Sequence, residues 1–363
     1  MVQPRNFGDY NTYLGFEHFE PDALRFETPG DPASVSSTKQ EFLPGDTIYG
    51  RLRPYFRKVG WSQNLRGICS TDFWVFEPKP GVDPRFVFYV AGSQEFTDLA
   101  TSSSEGTRMP RASWSVVKDF EVLDFTQEEQ RAIAATLGAL DDKIESNRRS
   151  TSLISDLLDT HSEKFGAGLP TIPLGDIATP VKESLNPSNL GNTQVDHFSL
   201  PAFDRDARPE RVAASSIMSN KLRVPKQAIL LSRLNPRFNR TWWASADAEA
   251  PALASTEFLV LTSEDEQRLA AIWLALRDPF FRGEMPKRVT GTSGSHQRVK
   301  PADVLAIEVP DFTSAPTVLK ESALAMLKRS ESLRAESARL SALRDALLPE
   351  LLSGRLRASV GKL

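Results

Sequence analysis

The strongest pattern along the chain is a 4-3 spacing of positions that begins at Ile133 and continues through Leu137, Leu140, Ile144, Asn147, Thr151, Ile154, Leu158, His161 and Phe165. A seam of this period predicts a long coiled-coil helix with polar breaks at Asn147 and Thr151. Thr126, with Glu129 three residues later, has the form of a capping box and predicts its start. A second stripe, Leu319, Ala323, Met326, Leu333, Leu340, Leu347 and Leu351, is interrupted by Ser330 and Ser337. It predicts another helix from about Pro316 to Leu352, with Gly354 as its stop. Each helix would span roughly 55 Å at 1.5 Å per residue. One such helix alone exposes its stripe, whereas two can bury theirs against each other. Asn147 and His161 then read as polar residues that fix register.

Shorter patterns precede each long helix. Asp46–Leu52 and Gln227–Leu234 read as strands opened by Pro-Gly and Pro-Lys turns. Phe73–Phe76 and Phe258–Leu261 read as buried strands. Pro84–Leu99 and Asp265–Phe280 read as helices packing on a sheet. The elements recur because the sequence does. Arg51-Leu52-Arg53-Pro54-Tyr55-Phe56-Arg57 returns as Arg233-Leu234-Asn235-Pro236-Arg237-Phe238-Asn239, and Ser70-Thr71-Asp72-Phe73-Trp74-Val75 as Ser255-Thr256-Glu257-Phe258-Leu259-Val260. Gly106-Thr107 returns as Gly291-Thr292, and Glu121-Val122-Leu123-Asp124-Phe125 as Glu308-Val309-Pro310-Asp311-Phe312. Four matches in order, at offsets of 182 to 187 residues, point to a duplication. The expected architecture is α+β: two homologous domains joined by two long antiparallel coiled-coil helices about a pseudo-twofold. The boundaries are 1–125 for the first domain, 126–166 for the first helix, 167–312 for the second domain, 313–357 for the second helix and 358–363 for a tail.

Composition narrows the function. With 363 residues, 40% hydrophobic and 25% charged, the chain reads as globular. Its one cysteine, Cys69, cannot form an internal disulfide, which favours a reducing compartment such as the cytoplasm. With four scattered histidines it gives no zinc-ligand spacing. No apolar run approaches the ~20 residues that cross a bilayer, and Met1 to Asp22 lacks a signal-peptide pattern. The net charge of −3 argues against a non-specific, charge-driven nucleic-acid binder, yet charge is segregated. Asp46 to Arg66 carries five bases and one acid, Lys221 to Arg240 six bases and no acid, and Arg282 to Lys300 five bases and one acid. Thr126 to Phe165 reverses this, with eight acids and five bases. Local basic stretches suit phosphate contacts; solvated surface loops are the alternative.

The stretch Gly106-Thr107-Arg108-Met109-Pro110-Arg111, then Trp114, then Glu128-Glu129-Gln130-Arg131-Ala132-Ile133-Ala134 and Leu140-Asp141-Asp142-Lys143-Ile144-Glu145-Ser146-Asn147 resembles the first spacer region of type I restriction-modification specificity subunits. The closing Leu343-Arg344-Asp345-Ala346-Leu347-Leu348-Pro349-Glu350-Leu351-Leu352-Ser353-Gly354 resembles the end of the same family. The resemblance implies two target-recognition domains on two antiparallel helices that read a bipartite site in double-stranded DNA. It implies two adenine-methyltransferase subunits docked on the chain, with a motor-nuclease subunit able to join them. No catalytic residue, metal or cofactor is then expected in this chain. One departure concerns the start. Family members usually begin with a short strand-and-turn segment, which the second half retains in Pro170–Glu183, whereas the first half opens almost directly at Tyr13-Leu14-Gly15-Phe16-Glu17-His18. Either the first domain is compact or the chain starts late.

Candidate DNA-contacting residues follow. Arg51, Arg53 and Arg57, with Lys58, lie along one strand and its exit; Arg233, Arg237 and Arg240 are their counterparts. Arg108 and Arg111 occupy the loop before the first long helix. The equivalent loop supplies Ser293, Ser295, His296 and Arg298. Arginine grips guanine bidentately, or a phosphate; for Arg108 and Arg111 an internal ion pair is the competing reading, and for the strand arginines it is protection of a sheet edge. Trp242-Trp243 read as core aromatics, with base stacking as the alternative. Asn235-Pro236-Arg237-Phe238 superficially resembles an adenine-methylase motif, but its repeat partner Arg53-Pro54-Tyr55-Phe56 lacks the asparagine, so a shared turn accounts for both. The rival function is a coiled-coil protein-binding scaffold with duplicated domains, which would show no sequence-dependent DNA protection. A lone methylase would bind S-adenosylmethionine.

Overall fold

The fold was analysed in a computed structural model, which describes residues 1–246, 249–290 and 297–358. The chain divides into two compact units: Met1–Ile144 with Arg339–Leu363, and Glu145–Ala338. Each unit takes one strand-rich domain and a portion of both long helices.

In the first unit an antiparallel sheet has Thr47–Gly50 at its centre, flanked by Val59–Trp61 and Phe73–Phe76. Two helices, Pro84–Ala91 and Gln94–Ser102, pack on it and bury Tyr49, Tyr89 and Phe96. The single helix expected over Pro84–Leu99 is broken at Gly92-Ser93. Ser93 Oγ accepts from the Phe96 amide at 3.2 Å and caps a new helix. A second small sheet sets Tyr13–Leu14 parallel to Gly67–Cys69, with Gln40–Phe42 antiparallel on the other side.

The second unit repeats the plan. Gln227–Ser232 lies between Thr241–Ser245 and Phe258–Thr262, and Thr179–Pro180 extends the sheet. Glu266–Arg277 and Pro279–Glu284 cover it, broken this time at the capping residue Asp278. Gln194–Phe198 runs parallel to Ala252–Ser255, with Lys221–Arg223 antiparallel beyond. The three central strands of each sheet therefore share order and direction with those of the first unit, the structural counterpart of the sequence repeat. Trp242 and Trp243 project to opposite faces of their strand and are buried in two different apolar clusters, as core residues.

The units differ at their edges: besides Thr179–Pro180, the second adds Glu210–Ala213 and Ser184–Leu185 to the two sides of its other sheet. Thr171–Pro173 pairs antiparallel with Glu308–Pro310 in the second. The repeat counterpart of that ladder strand, Glu121–Leu123, belongs to no strand among the described residues, and Val122 and Leu123 are exposed.

The long helices run Gln127–Gly166 and Thr317–Leu352. Thr126 starts the first as expected: its amide and Oγ1 donate to Glu129 Oε2 at 2.9 and 3.0 Å, and the Glu129 amide donates to Thr126 Oγ1 at 3.2 Å. Gly354 closes the second with a positive φ of 70°. The helices pack antiparallel within each unit. In the first, Ile133 and Leu137 share a core with Leu351 and Leu348. In the second, Leu158 shares one with Ala323 and Leu327. Asn147, 2% exposed, donates from Nδ2 to Glu336 Oε2 at 2.9 Å, consistent with a register role.

Candidate nucleic-acid interface

At the exit of the central strand in each unit the chain makes the same tight turn. In the first, the Arg51 amide donates to the Asp72 carbonyl at 3.0 Å and the Arg53 amide to the Pro110 carbonyl at 2.7 Å. In the second, the Arg233 amide donates to the Glu257 carbonyl at 2.9 Å and the Asn235 amide to the Gln297 carbonyl at 2.8 Å. Arg53 and Asn235 both adopt the left-handed region, with φ of 49° and 46°. Proline follows in each case, and the Phe56 and Phe238 amides close the turn on the Arg53 and Asn235 carbonyls, both at 3.0 Å. A left-handed non-glycine residue is strained and persists only where the surroundings impose it. Here the same strain occurs twice, at one position of the repeat.

An arginine-carboxylate clamp fixes each turn from behind. Arg111 donates from Nε and Nη2 to Asp72 at 2.7 and 3.2 Å. Arg298 donates from the same two atoms to Glu257 at 2.8 and 2.7 Å. Hydrogen bonding and charge from the carboxylate hold both guanidinium groups more firmly protonated. The backbones of Leu52 and Arg111, and of Leu234 and Arg298, form matching bridges. Arg111 thus carries an internal ion pair, its competing reading in the sequence, and Arg298, for which no such pair was expected, carries one as well.

The other candidates divide in the same way. Arg57 pairs with Asp22 at 3.1 Å, and Arg240 with Asp204 at 2.6 Å, both side chains largely covered. Arg233 bonds the Thr256 carbonyl, and burial lowers its pKa. Arg51 reaches Asp72 at 4.0 Å. Lys58 donates to the Phe16 carbonyl at 2.6 Å, and burial lowers its pKa also. Exposed side chains remain at the turn tips. Arg53 touches only the Arg108 carbonyl, at 3.3 Å, among its described side-chain hydrogen bonds, and Arg108 itself is exposed. Arg237 lies 4.9 Å over the Phe238 ring. Ser293, Ser295 and His296 lie outside the described residues.

Beside these cations stand apolar groups not singled out from the sequence. Tyr55 and Phe238 are 49% and 51% exposed, and Phe56 and Met109 are exposed as well. The signal available was an aromatic pair in a proline turn that belongs to no periodic face. Exposed aromatics beside arginines can stack on bases or fill a groove while the cations meet phosphate. Among the described residues no cluster of His, Cys, Asp and Glu could hold a metal, and no helix is long and apolar enough to cross a membrane.

The chain thus combines a duplicated α+β domain, one clamped basic turn per copy, with two long helices that pack antiparallel within each unit. The S subunit of the type I restriction-modification system of M. genitalium has this fold: it is 15% identical, with a TM-score of 0.54 over 97% of this chain and 91% of that one. The HsdS subunit of Thermoanaerobacter tengcongensis aligns over 97% of this chain and 93% of its own, at 19% identity and a TM-score of 0.39. In sequence, the specificity subunit of the type I restriction enzyme EcoDI of Escherichia coli is 32% identical over 88 residues, 24% of this chain. The match spans 19% of that relative's length. No protein-family model matches the chain. The family that the helix motifs resemble is the one to which these proteins belong, and the chain has its fold.

Proposed function

We propose that the chain is the sequence-specific DNA-recognition subunit of a type I restriction-modification complex. It reads a bipartite target in double-stranded DNA, one part per domain, and positions two methyltransferase subunits, with a motor-nuclease subunit able to join. The chain carries out no chemistry itself; the target adenine is flipped and methylated by the partner. Its place is the cytoplasm. The observation that carries this reading is the repeated turn: a left-handed residue at the same position, the same proline and the same kind of arginine-carboxylate clamp, presenting exposed cations and aromatics twice. A pure protein-binding scaffold has no need of two basic tips. Phosphate contacts from Arg53, Arg108 and Arg237 would supply affinity, and the neighbouring side chains the discrimination between bases.

Mapping methyl-adenine across the host genome with and without this gene tests the reading. The expected result is loss of one bipartite methylated motif when the gene is removed. An unchanged methylome, with the cognate methyltransferase expressed, would return the chain to the scaffold class.

A further inference from the structure

The repeat extends into the long helices at an offset of 186 residues, as from Leu158 to Arg344. At that offset Leu137 falls on Ala323, Asn147 on Leu333, Leu158 on Arg344 and Ser162 on Leu348, and all eight residues are buried. The seams of the two helices are therefore equivalent position by position. Their chemistry is not. Arg344, 3% exposed, donates from Nη1 to Asp141 Oδ1 at 2.9 Å in the first unit. The same offset carries Asp141 onto Leu327. In the second unit the corresponding pair is Leu158 and Leu327, both buried in one apolar cluster.

We infer that the Asp141–Arg344 pair, its guanidinium buried and its carboxylate half-buried, set against the Leu158–Leu327 pair, is a pairing code: the half formed by residues 1–166 accepts the half formed by 167–363 and rejects a second copy of itself. Two halves with equivalent seams could associate like with like. Self-pairing of the first half would set Asp141 against Leu158 at both ends of the seam. Self-pairing of the second would set Arg344 against Leu327. A charge set against leucine loses this partner while regaining little water, Arg344 least of all, which is more costly than the intact pair or an apolar pair. Tyr89 would still donate to Asp141, as it does now at 2.6 Å, and Arg344 would keep its neighbour Asp345 at 2.8 Å. The tyrosine is neutral, however, and Asp345 is more exposed than Asp141, so neither replaces the lost counter-charge. Only unlike halves place charge on charge and leucine on leucine.

Two further interactions point the same way. Asn147 meets Glu336, whose counterparts are Leu333 and Ser150, so like pairing of the second half would place Glu336 opposite leucine. Ser162 Oγ donates to the Leu274 carbonyl in the second domain at 2.8 Å, whereas its counterpart Leu348 has no hydroxyl to donate. The inference stands apart from DNA recognition, because it concerns only the seam.

The test uses the folded chain. A protease site is inserted in the exposed turn at Ala167-Gly168, the intact protein is purified, each variant is checked for cooperative unfolding, and the chain is then cut. Native mass spectrometry reads which halves remain together after prolonged incubation. In the unsubstituted protein the mixed complex should exceed either like pair by roughly a hundredfold or more. Asp141→Leu gives a first half with leucine at both seam positions and should release first-half dimers alone. Arg344→Leu should release second-half dimers alone. The double variant carries leucine at all four positions and should release like pairs of both halves beside a mixed complex favoured only by the Asn147 and Ser162 contacts, while the swapped pair D141R/R344D should stay mixed. A statistical mixture from the unsubstituted chain would overturn the code, as would strict mixed pairing in the double leucine variant.

Discussion

Arg298 Nε and Nη2 meet the two carboxylate oxygens of Glu257 at 2.8 and 2.7 Å, and the geometry leaves this guanidinium little freedom to turn toward a ligand. Arg237, in the same turn region, is exposed and stacks on its neighbour Phe238. The two arginines should therefore fail differently when removed. Arg298→Ala should lower stability by about 1 kcal/mol, the upper part of the range for a partly exposed pair, and loosen the turn. Arg237→Ala should leave the unfolding midpoint unchanged and weaken DNA binding. If its guanidinium meets one phosphate, the slope of log affinity against log salt should flatten by about one unit. Denaturant titration and salt-dependent anisotropy check both; an unchanged slope in Arg237→Ala would remove that residue from the interface.

The left-handed residues give a second prediction. Arg53→Gly relieves the backbone at φ 49°, so folding stability should be retained within about 1 kcal/mol. DNA affinity should fall, because the exposed guanidinium is gone. Asn235→Val places a β-branched residue at φ 46° and should cost about 1–3 kcal/mol. Undiminished DNA affinity in Arg53→Gly would make the turn structural only.

Much of this architecture was legible in the chain. Seam periodicity located both long helices, and Thr126 with Glu129 located the start of the first. The duplication predicted matching sheets, and the three central strands of each follow it, while the edge strands added in the second unit have no such signal. The candidate arginines were a mixed set because sequence shows charge but not its partner. Arg111 is held by Asp72, 39 residues away, while Arg108 three positions earlier is exposed. The breaks at Ser93 and Asp278 were hidden within longer apolar patterns, although both are good capping residues. Strands of two or three residues, such as Tyr13–Leu14 and Gly67–Cys69, are too short to show a period.

A pH dependence should arise in the second domain. Burial first, and then the Lys221 charge, push the His197 pKa below its ordinary 6.5. The folded state thus prefers the neutral ring, while the unfolded chain takes up a proton as the pH falls through 6.5. The His197 contribution is complete above that value and declines below it. Unfolding free energy should fall between pH 7.5 and 5.5, and His197→Gln should flatten the decline. An equal slope in the variant would assign the dependence to other groups.

The central claim is that each domain reads its own half of one DNA target through its clamped turn. The most direct measurement is methylome sequencing of a host expressing the cognate methyltransferase with the chain carrying Arg237→Ala and Phe238→Ala. The account predicts a bipartite motif whose specificity is relaxed in one half-site, while the other half-site and the gap are unchanged. Relaxation spread over both half-sites, or an unaltered motif from a folded and active variant, would contradict it.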